Sequence, residues 1–120
     1  MRRVAPAVLA FGLLAACASA APPADACDVE LRFGSYGAGV DGALADRVGA
    51  AVKDDPDLAG VERTPWGREG EFNLCLAAKP GRDVRAIYQR YRTMLPTTPA
   101  RGPTTIVGPG GLTEQTPGPR

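Results

Sequence analysis

Two segments of this chain alternate strictly between apolar and polar residues, and this pattern limits most what the chain can fold into. The segments are 28–33 and 71–77, and their apolar side chains recur at every second position: Val29, Leu31, Phe33, Phe72, Leu74 and Leu76. Strict alternation is typical of a β-strand with one buried face and one solvated face. The sequence therefore predicts a sheet with one apolar face, which other elements must cover.

Two amphipathic helices are predicted to cover that face. The first helix is predicted over residues 42–54, and an apolar stripe at helical spacing begins just before it: Val40, Leu44, Val48, Ala51 and Val52. Asp41 precedes this segment as an N-cap, and Pro56 ends it. Residues 82–95 carry a second apolar stripe, made of Val84, Ile87, Tyr88, Tyr91, Met94 and Leu95. Each helix is expected to pack its stripe against the sheet.

The remaining strands are weaker in sequence. Residues 61–66 form a predicted strand, but Pro65 cannot donate to a ladder, which places this strand at a sheet edge. Residues 67–70 form a hairpin-type turn, and residues 104–107 are a candidate for a short last strand. The order is β-α-β-β-α, with or without that last strand. It predicts an α+β ferredoxin-like sandwich, in which an antiparallel sheet carries both helices on one face.

The 120 residues allow one small domain. Residues 27–96 hold the predicted elements, and the domain extends to residue 108 if the last strand forms. Six prolines and five glycines fall within residues 96–120. Such a composition rarely builds a packed core, so residues 109–120 are expected to form a disordered tail.

The first 16 residues have the pattern of an export signal. Two arginines precede an apolar run at residues 8–16, which is too short to span a bilayer. Residues 17–26 then form a tether of small residues and proline. Within it, residues 18–20 (Ala-Ser-Ala) are a site for ordinary signal peptidase, and cleavage after Ala20 would release a soluble periplasmic or secreted domain.

A second cleavage signal overlaps the first. The motif Leu14-Ala15-Ala16-Cys17 directly follows the apolar run and resembles the lipobox of bacterial lipoproteins. The resemblance implies that Cys17 is lipidated and begins the mature chain, which anchors the protein in the membrane. The residues that follow Cys17 carry no aspartate retention signal. This favours the periplasmic side of the outer membrane over the inner membrane.

Cys27 and Cys75 are predicted to form a disulfide bond. Exported proteins retain disulfides, and the predicted fold brings the start of the first strand next to the end of the third, where these two residues lie. Cys27 shares the parity of the buried Val29, whereas Cys75 has the opposite parity to Leu74. A bridge therefore needs Cys27 just outside the regular strand, or a bulge nearby. The alternative is two unpaired thiols.

Residues 37–42, Gly-Ala-Gly-Val-Asp-Gly, match the G-x-G-x-x-G pattern of dinucleotide-binding folds. However, the domain is too short for two βαβαβ halves, and Asp41 would repel a phosphate at the helix N-terminus. We therefore expect no nucleotide cofactor, and we interpret the glycines as a backbone connection. The alternative is binding of a small ligand or anion by residues 34–42.

Residue types for catalysis are scarce. The chain has no histidine to activate a serine, and Cys27 and Cys75 alone do not complete a metal site. Acidic residues concentrate in 25–57 and basic residues in 58–101, but the total charges nearly balance, at 14 basic and 13 acidic residues. Such a balance disfavours nucleic-acid binding. We expect no enzyme activity, no cofactor and no nucleic-acid partner.

Two exposed features are candidates for a partner surface. Trp66 and Arg68 lie at the predicted hairpin tip and are residue types of binding hot spots; alternatively, the indole folds back over the sheet edge. Arg82, Arg85 and Arg92 lie on the second helix, either solvated or as a docking surface for an acidic partner or anionic lipid. The sequence thus predicts a non-enzymatic cell-envelope lipoprotein that acts through protein–protein contacts. A periplasmic ligand-binding module is the alternative.

Overall fold

The computed structural model describes residues 27–119. The predicted signal peptide, the Cys17 lipidation site and the tether lie outside the described residues. The elements follow one another in this order: β1 (Val29–Phe33), α1 (Gly42–Lys53), β2 (Leu58–Pro65), β3 (Phe72–Ala78), α2 (Val84–Arg92), β4 (Thr104–Val107), a 3-10 turn (Pro109–Gly111) and β5 (Thr113–Gln115). Within this part of the chain, no helix is long and apolar enough to cross a membrane.

The five strands form one antiparallel sheet in the order β2-β3-β1-β4-β5. β1 lies at the centre, where Leu31 is opposite Leu74 of β3 and Ile106 of β4. β2, with Pro65 at its end, lies at one edge as the sequence predicts. The predicted α+β class, with an antiparallel sheet and two helices, is confirmed. The structure adds a fifth strand that the sequence did not predict.

One face of the sheet packs against both helices. The buried residues of strands and helices form a single cluster: Val29, Leu31, Phe33, Leu44, Val48, Leu58, Phe72, Leu74, Leu76, Ile87, Tyr88, Tyr91, Leu95 and Ile106. The opposite face, called the outer face below, presents the alternate residues of the central strands: Glu30, Arg32, Asn73, Cys75, Thr105 and Val107. The alternation read from the sequence therefore separates the core from a polar face.

Both helices begin at a capping aspartate. Asp41 and Asp83 accept hydrogen bonds from the backbone N–H groups of Leu44 and Ala86, at 3.1 and 3.2 Å. Asp41 is the predicted cap, whereas Asp83 was expected inside its helix. Because a capping residue lies outside the helical turn, α2 begins at Val84 and is shorter than predicted.

The C-terminal segment is ordered further than the sequence predicts. β4 forms where the short last strand was expected, and β5 then pairs antiparallel with it. The reversal between them uses Gly110 and Gly111, both of which have positive φ, a conformation that glycine adopts readily. Residues 113–115 thus form a strand instead of part of a disordered tail, because the local glycines and proline specify a turn.

The predicted disulfide joins Cys27 to Cys75, with Cα atoms 5.3 Å apart. Strict alternation would put the side chains of Cys27 and Cys75 on opposite faces of the sheet. Cys27 lies two residues before β1, so the alternation of that strand does not fix its direction and the bridge can form. The Asp28 carboxylate also accepts a hydrogen bond from the Ala78 N–H at 2.8 Å. The beginning of the described domain is therefore attached to β3 by a covalent bond and a hydrogen bond.

Candidate functional site

In the glycine-rich loop at residues 34–42, a side chain of the loop itself binds two of the backbone amides. The Ser35 hydroxyl accepts hydrogen bonds from the N–H groups of Gly37 (2.9 Å) and Gly39 (3.0 Å). The same hydroxyl donates to the Glu69 carboxylate. A phosphate site needs such amides directed at the ligand, whereas these two are directed at a serine beside a carboxylate.

The backbone of residues 102–103 also packs closely against this loop. The N–H of Gly34 donates to the carbonyl of Pro103 at 2.8 Å. Gly102 lies so close that a Cβ there would overlap the carbonyl oxygen of Gly34 and lie 2.8 Å from that of Gly39. Gly37 and Gly39 have φ of 116° and 93°. Gly37 and Gly39 therefore each have a backbone reason to be present, as expected for a connection.

We expect no thermal shift of the purified chain with NAD, ATP or inorganic phosphate at millimolar concentration. A ligand at a hundred times its dissociation constant adds about 2.7 kcal/mol to stability, which is readily measured. As a positive control for sensitivity, Asp41→Ala should lower stability by about 1 kcal/mol through the lost cap. A phosphate-dependent rise in the melting temperature would contradict this account of the loop.

The β2–β3 hairpin holds Trp66 in a fixed, half-exposed position. The indole N–H donates to Asn73 Oδ1 at 2.8 Å, and the backbone N–H of Trp66 donates to the Glu71 carbonyl at 2.9 Å. The indole therefore folds back onto the outer face, yet 47% of Trp66 remains exposed. Arg68, at the tip, is exposed. Both sequence-predicted residues thus belong to one exposed hairpin.

β2 is exposed along nearly its whole length, because the helices do not cover this edge of the sheet. Val61 is 41% exposed, and residues 59–65 are all exposed. The Arg63 guanidinium lies 3.8 Å from the centroid of the Phe72 ring, which fixes its position at the margin of the core. We call the exposed edge that carries Val61, Arg63, Trp66 and Arg68 the β2 surface; Val61 and Arg63 lie on its helix side, and the Trp66 indole lies on its outer side.

The predicted basic surface on α2 is largely neutralised. Arg82 pairs with Asp57 at 3.5 Å, and Arg92 pairs with Glu114 of β5. Within residues 27–119, Arg85 forms no such pair. A docking surface of three arginines is therefore reduced to one unpaired cation, so the hairpin with Trp66 and Arg68 is the stronger of the two predicted candidates.

A polar network that the sequence analysis missed joins the α1–β2 loop to α2. Asp55 accepts hydrogen bonds from the Tyr91 hydroxyl and from Arg90, both at 2.7 Å, and its side chain is only 5% exposed. Arg90 also reaches Asp57 at 3.3 Å. The signal for this network is the excess of acids before residue 58 and of bases after it. Tyr91 was assigned only to the core.

This network shifts the pKa of two groups. Burial disfavours the charged form of Asp55, but hydrogen bonds from Tyr91, Asp57 and Arg90 outweigh it and lower the Asp55 pKa below its ordinary 3.8. Burial, together with the bond to Asp55, raises the pKa of the Tyr91 hydroxyl well above its ordinary value. At neutral pH the tyrosine therefore donates and the aspartate is ionised, which suits a structural link.

Stability should fall in acid as Asp55 becomes protonated. Its lowered pKa means that the contribution is complete above pH 3.8 and is lost as the pH falls through the folded-state value. Tyr91→Phe removes one donor and should cost about 1–2 kcal/mol at neutral pH, and it should move the acid transition to higher pH. Urea unfolding across this pH range measures both effects. Tyr88→Phe is the matched control, and identical pH profiles for the two variants would contradict the assignment.

A shallow cavity of about 450 Å³ lies between the outer face and the turn that precedes β5. Its charged lining residues are Asp28, Glu30 and Arg32. Glu30 is buried and pairs with Arg32, and Asp28 accepts from a backbone N–H. Each of these charged groups therefore already has one partner within the chain, and no larger set of polar groups among the described residues converges on the cavity.

Comparison of the chain with protein-family models, with curated proteins and with solved structures gives no match. In the part of the chain that the structure describes, no group of three or more acidic or cysteine side chains is arranged to hold a metal ion. The functional argument therefore depends on the surfaces of the molecule itself.

Proposed function

We propose that this chain is a non-enzymatic cell-envelope lipoprotein, anchored by a lipid on Cys17, whose domain acts through protein–protein contacts. The lipobox at residues 14–17 supports the anchor. The Cys27–Cys75 disulfide is compatible with an exported protein. On this proposal the domain faces the periplasm from the outer membrane.

We also propose that β1 to β4 and the two helices form a ferredoxin-like sandwich. β1 lies between β3 and β4 and pairs antiparallel with both, and β3 lies between β1 and β2. β5 is then an addition at the edge of β4. This arrangement leaves β2 as the longer of the two edge strands.

The observation that carries the contact function is the β2 surface. Seven of the eight residues of β2 are exposed, and the strand is followed by a half-exposed tryptophan whose indole and backbone are both hydrogen-bonded. Tryptophan and arginine are enriched at the centres of protein interfaces, and a side chain already held in place loses little entropy on binding. An uncovered edge strand is also a common site of association.

Ligand binding at residues 34–42 has less support than the contact function. The amides of Gly37 and Gly39 already donate to Ser35. An incoming anion would have to displace that serine while close to Glu69. These contacts favour a structural loop.

The contact function predicts a protein partner that depends on Trp66. The full chain would be crosslinked in native envelopes and purified with its partners in three forms: wild type, Trp66→Ala and Arg85→Ala. Arg85→Ala is the control, because Arg85 is an exposed α2 residue outside the β2 surface. Loss of a hot-spot side chain weakens binding about 30-fold. Trp66→Ala should therefore lose the partner, while Arg85→Ala retains it. Equal recovery with all three chains would contradict the proposal.

A further inference from the structure

The hydrogen bonds of the hairpin show which backbone groups of β2 are unused. The Trp66 N–H donates to the Glu71 carbonyl, and these residues are directly opposite because Pro65 pairs with Phe72. In an antiparallel ladder, hydrogen-bonded and non-hydrogen-bonded pairs alternate. Thr64 and Glu62 therefore bond to β3, whereas the N–H and C=O groups of Val61 and Arg63 point away from the sheet.

This edge can pair with only a short strand. Pro65 has no N–H to offer, and the pairing of β2 with β3 changes register between Leu58 and Gly60. Prolines and bulges of this kind limit nonspecific pairing at sheet edges. The backbone groups that are free to pair are therefore limited to those of Val61 and Arg63. The backbone groups of Glu62, which lies between them, point to β3.

The charges of this segment disfavour pairing with a second copy of the chain. An antiparallel register that uses both Val61 and Arg63 places Glu62 opposite its own copy. A shift in one direction places Arg63 opposite its own copy, and a shift in the other brings Arg63 against the irregular segment near Gly60. Like charges directly opposite each other in a sheet are destabilising.

We propose that the β2 edge takes an extended segment of a different protein as an added antiparallel strand. The segment carries an acidic residue opposite Arg63, a basic residue opposite Glu62 and an apolar residue opposite Val61, in that N-to-C order. This inference rests on the proposed contact function and names the chemistry of its partner. Main-chain hydrogen bonds supply affinity in such strand addition, and the alternate side chains supply specificity.

Synthetic peptides provide the direct test. One short peptide carries aspartate, lysine and valine in that order at its centre, a second has the two charges exchanged, and a third has the order reversed. In a hydrogen-exchange NMR titration of the full chain, the first peptide should slow exchange at the amides of Val61 and Arg63, because only strand addition engages both. The second should bind about tenfold more weakly, and the Glu62→Lys/Arg63→Glu chain should reverse that preference.

Several results would overturn the inference. Equal binding of the first two peptides would contradict the proposed charge pattern of the partner. Tighter binding of the reversed peptide would indicate parallel instead of antiparallel pairing. Absence of any protection at Val61 and Arg63 means that the edge is closed to added strands. Concentration-dependent dimers of the chain alone in analytical ultracentrifugation would assign the edge to a second copy.

A proline substitution separates this inference from the contact function. Val61→Pro removes an N–H that points outward, while Val61→Thr keeps it, and the melting temperatures of both chains establish that they fold. If Val61→Pro loses the partner and Val61→Thr retains it, strand addition is supported. If both retain a partner that Trp66→Ala loses, the contact function stands and the inference fails.

Discussion

Removal of the disulfide between Cys27 and Cys75 should lower the free energy of unfolding by about 4 kcal/mol, which the chain-entropy relation gives for a loop closed over 48 residues. A domain of this size has a total stability of about 5–15 kcal/mol. The change therefore takes a large share of it, and the melting temperature should fall by about 15–30 °C.

The reductant supplies the control for this experiment. In a strong reductant, the wild type should have the same melting temperature as the Cys27→Ser/Cys75→Ser variant. The melting temperature of the variant itself should not change with reductant. Each single substitution should be as destabilising as the double one, because either opens the same loop. Unchanged melting of the wild type on full reduction would contradict the stabilising role of the bond.

Gly102→Ala should cost about 2–3 kcal/mol, the upper part of the usual range for an overpacked site. The added Cβ would overlap the Gly34 carbonyl oxygen and lie 3.2 Å from the Cα of Val40. All these neighbours are backbone atoms, so no flexible side chain can move aside. Chemical denaturation measures the loss.

Gly49→Ala is the matched control for this glycine. Gly49 lies inside α1, and a Cβ there meets no atom within 4 Å. Alanine has the higher helix propensity by about 1 kcal/mol, so the same substitution should stabilise the chain at Gly49 and destabilise it at Gly102. If Gly102→Ala unfolded at the wild-type midpoint, the tight packing below the glycine-rich loop would be wrong.

Local patterns predicted the elements whose cause is local. Alternation placed Val29, Leu31 and Phe33 in the core. The cap at Asp41 gave the start of α1, and Pro65 placed β2 at an edge of the sheet. The disulfide followed from the strand order, because Cys27 and Cys75 can meet only if β1 pairs with β3.

Features that depend on tertiary contacts were not predictable in this way. β5 has three exposed residues and no alternation, and it forms because a glycine turn brings it against β4. The bonds from Arg90 and Tyr91 to Asp55 join residues 35 and 36 positions apart. Charge asymmetry alone does not say which residues pair across such a distance.

For the candidate surface, the sequence identified two residues of an exposed hairpin but not their contacts. Trp66 and Arg68 were recognisable as hot-spot residues at a hairpin, whereas the roles of Val61 and Arg63 depend on which backbone groups the ladder leaves unused. The three arginines assigned to the predicted second helix looked similar to one another in sequence. The structure separates Arg85 from Arg82 and Arg92, which have acidic partners.

We propose that the domain works at the cell envelope, held there by a lipid on Cys17. Intact mass spectrometry of the protein from the membrane fraction tests it most directly. We expect a mature chain that begins at Cys17 and carries acyl mass, and we expect Cys17→Ser to release the domain from the membrane. A mature chain that begins at Ala21 without acyl mass would contradict the claim.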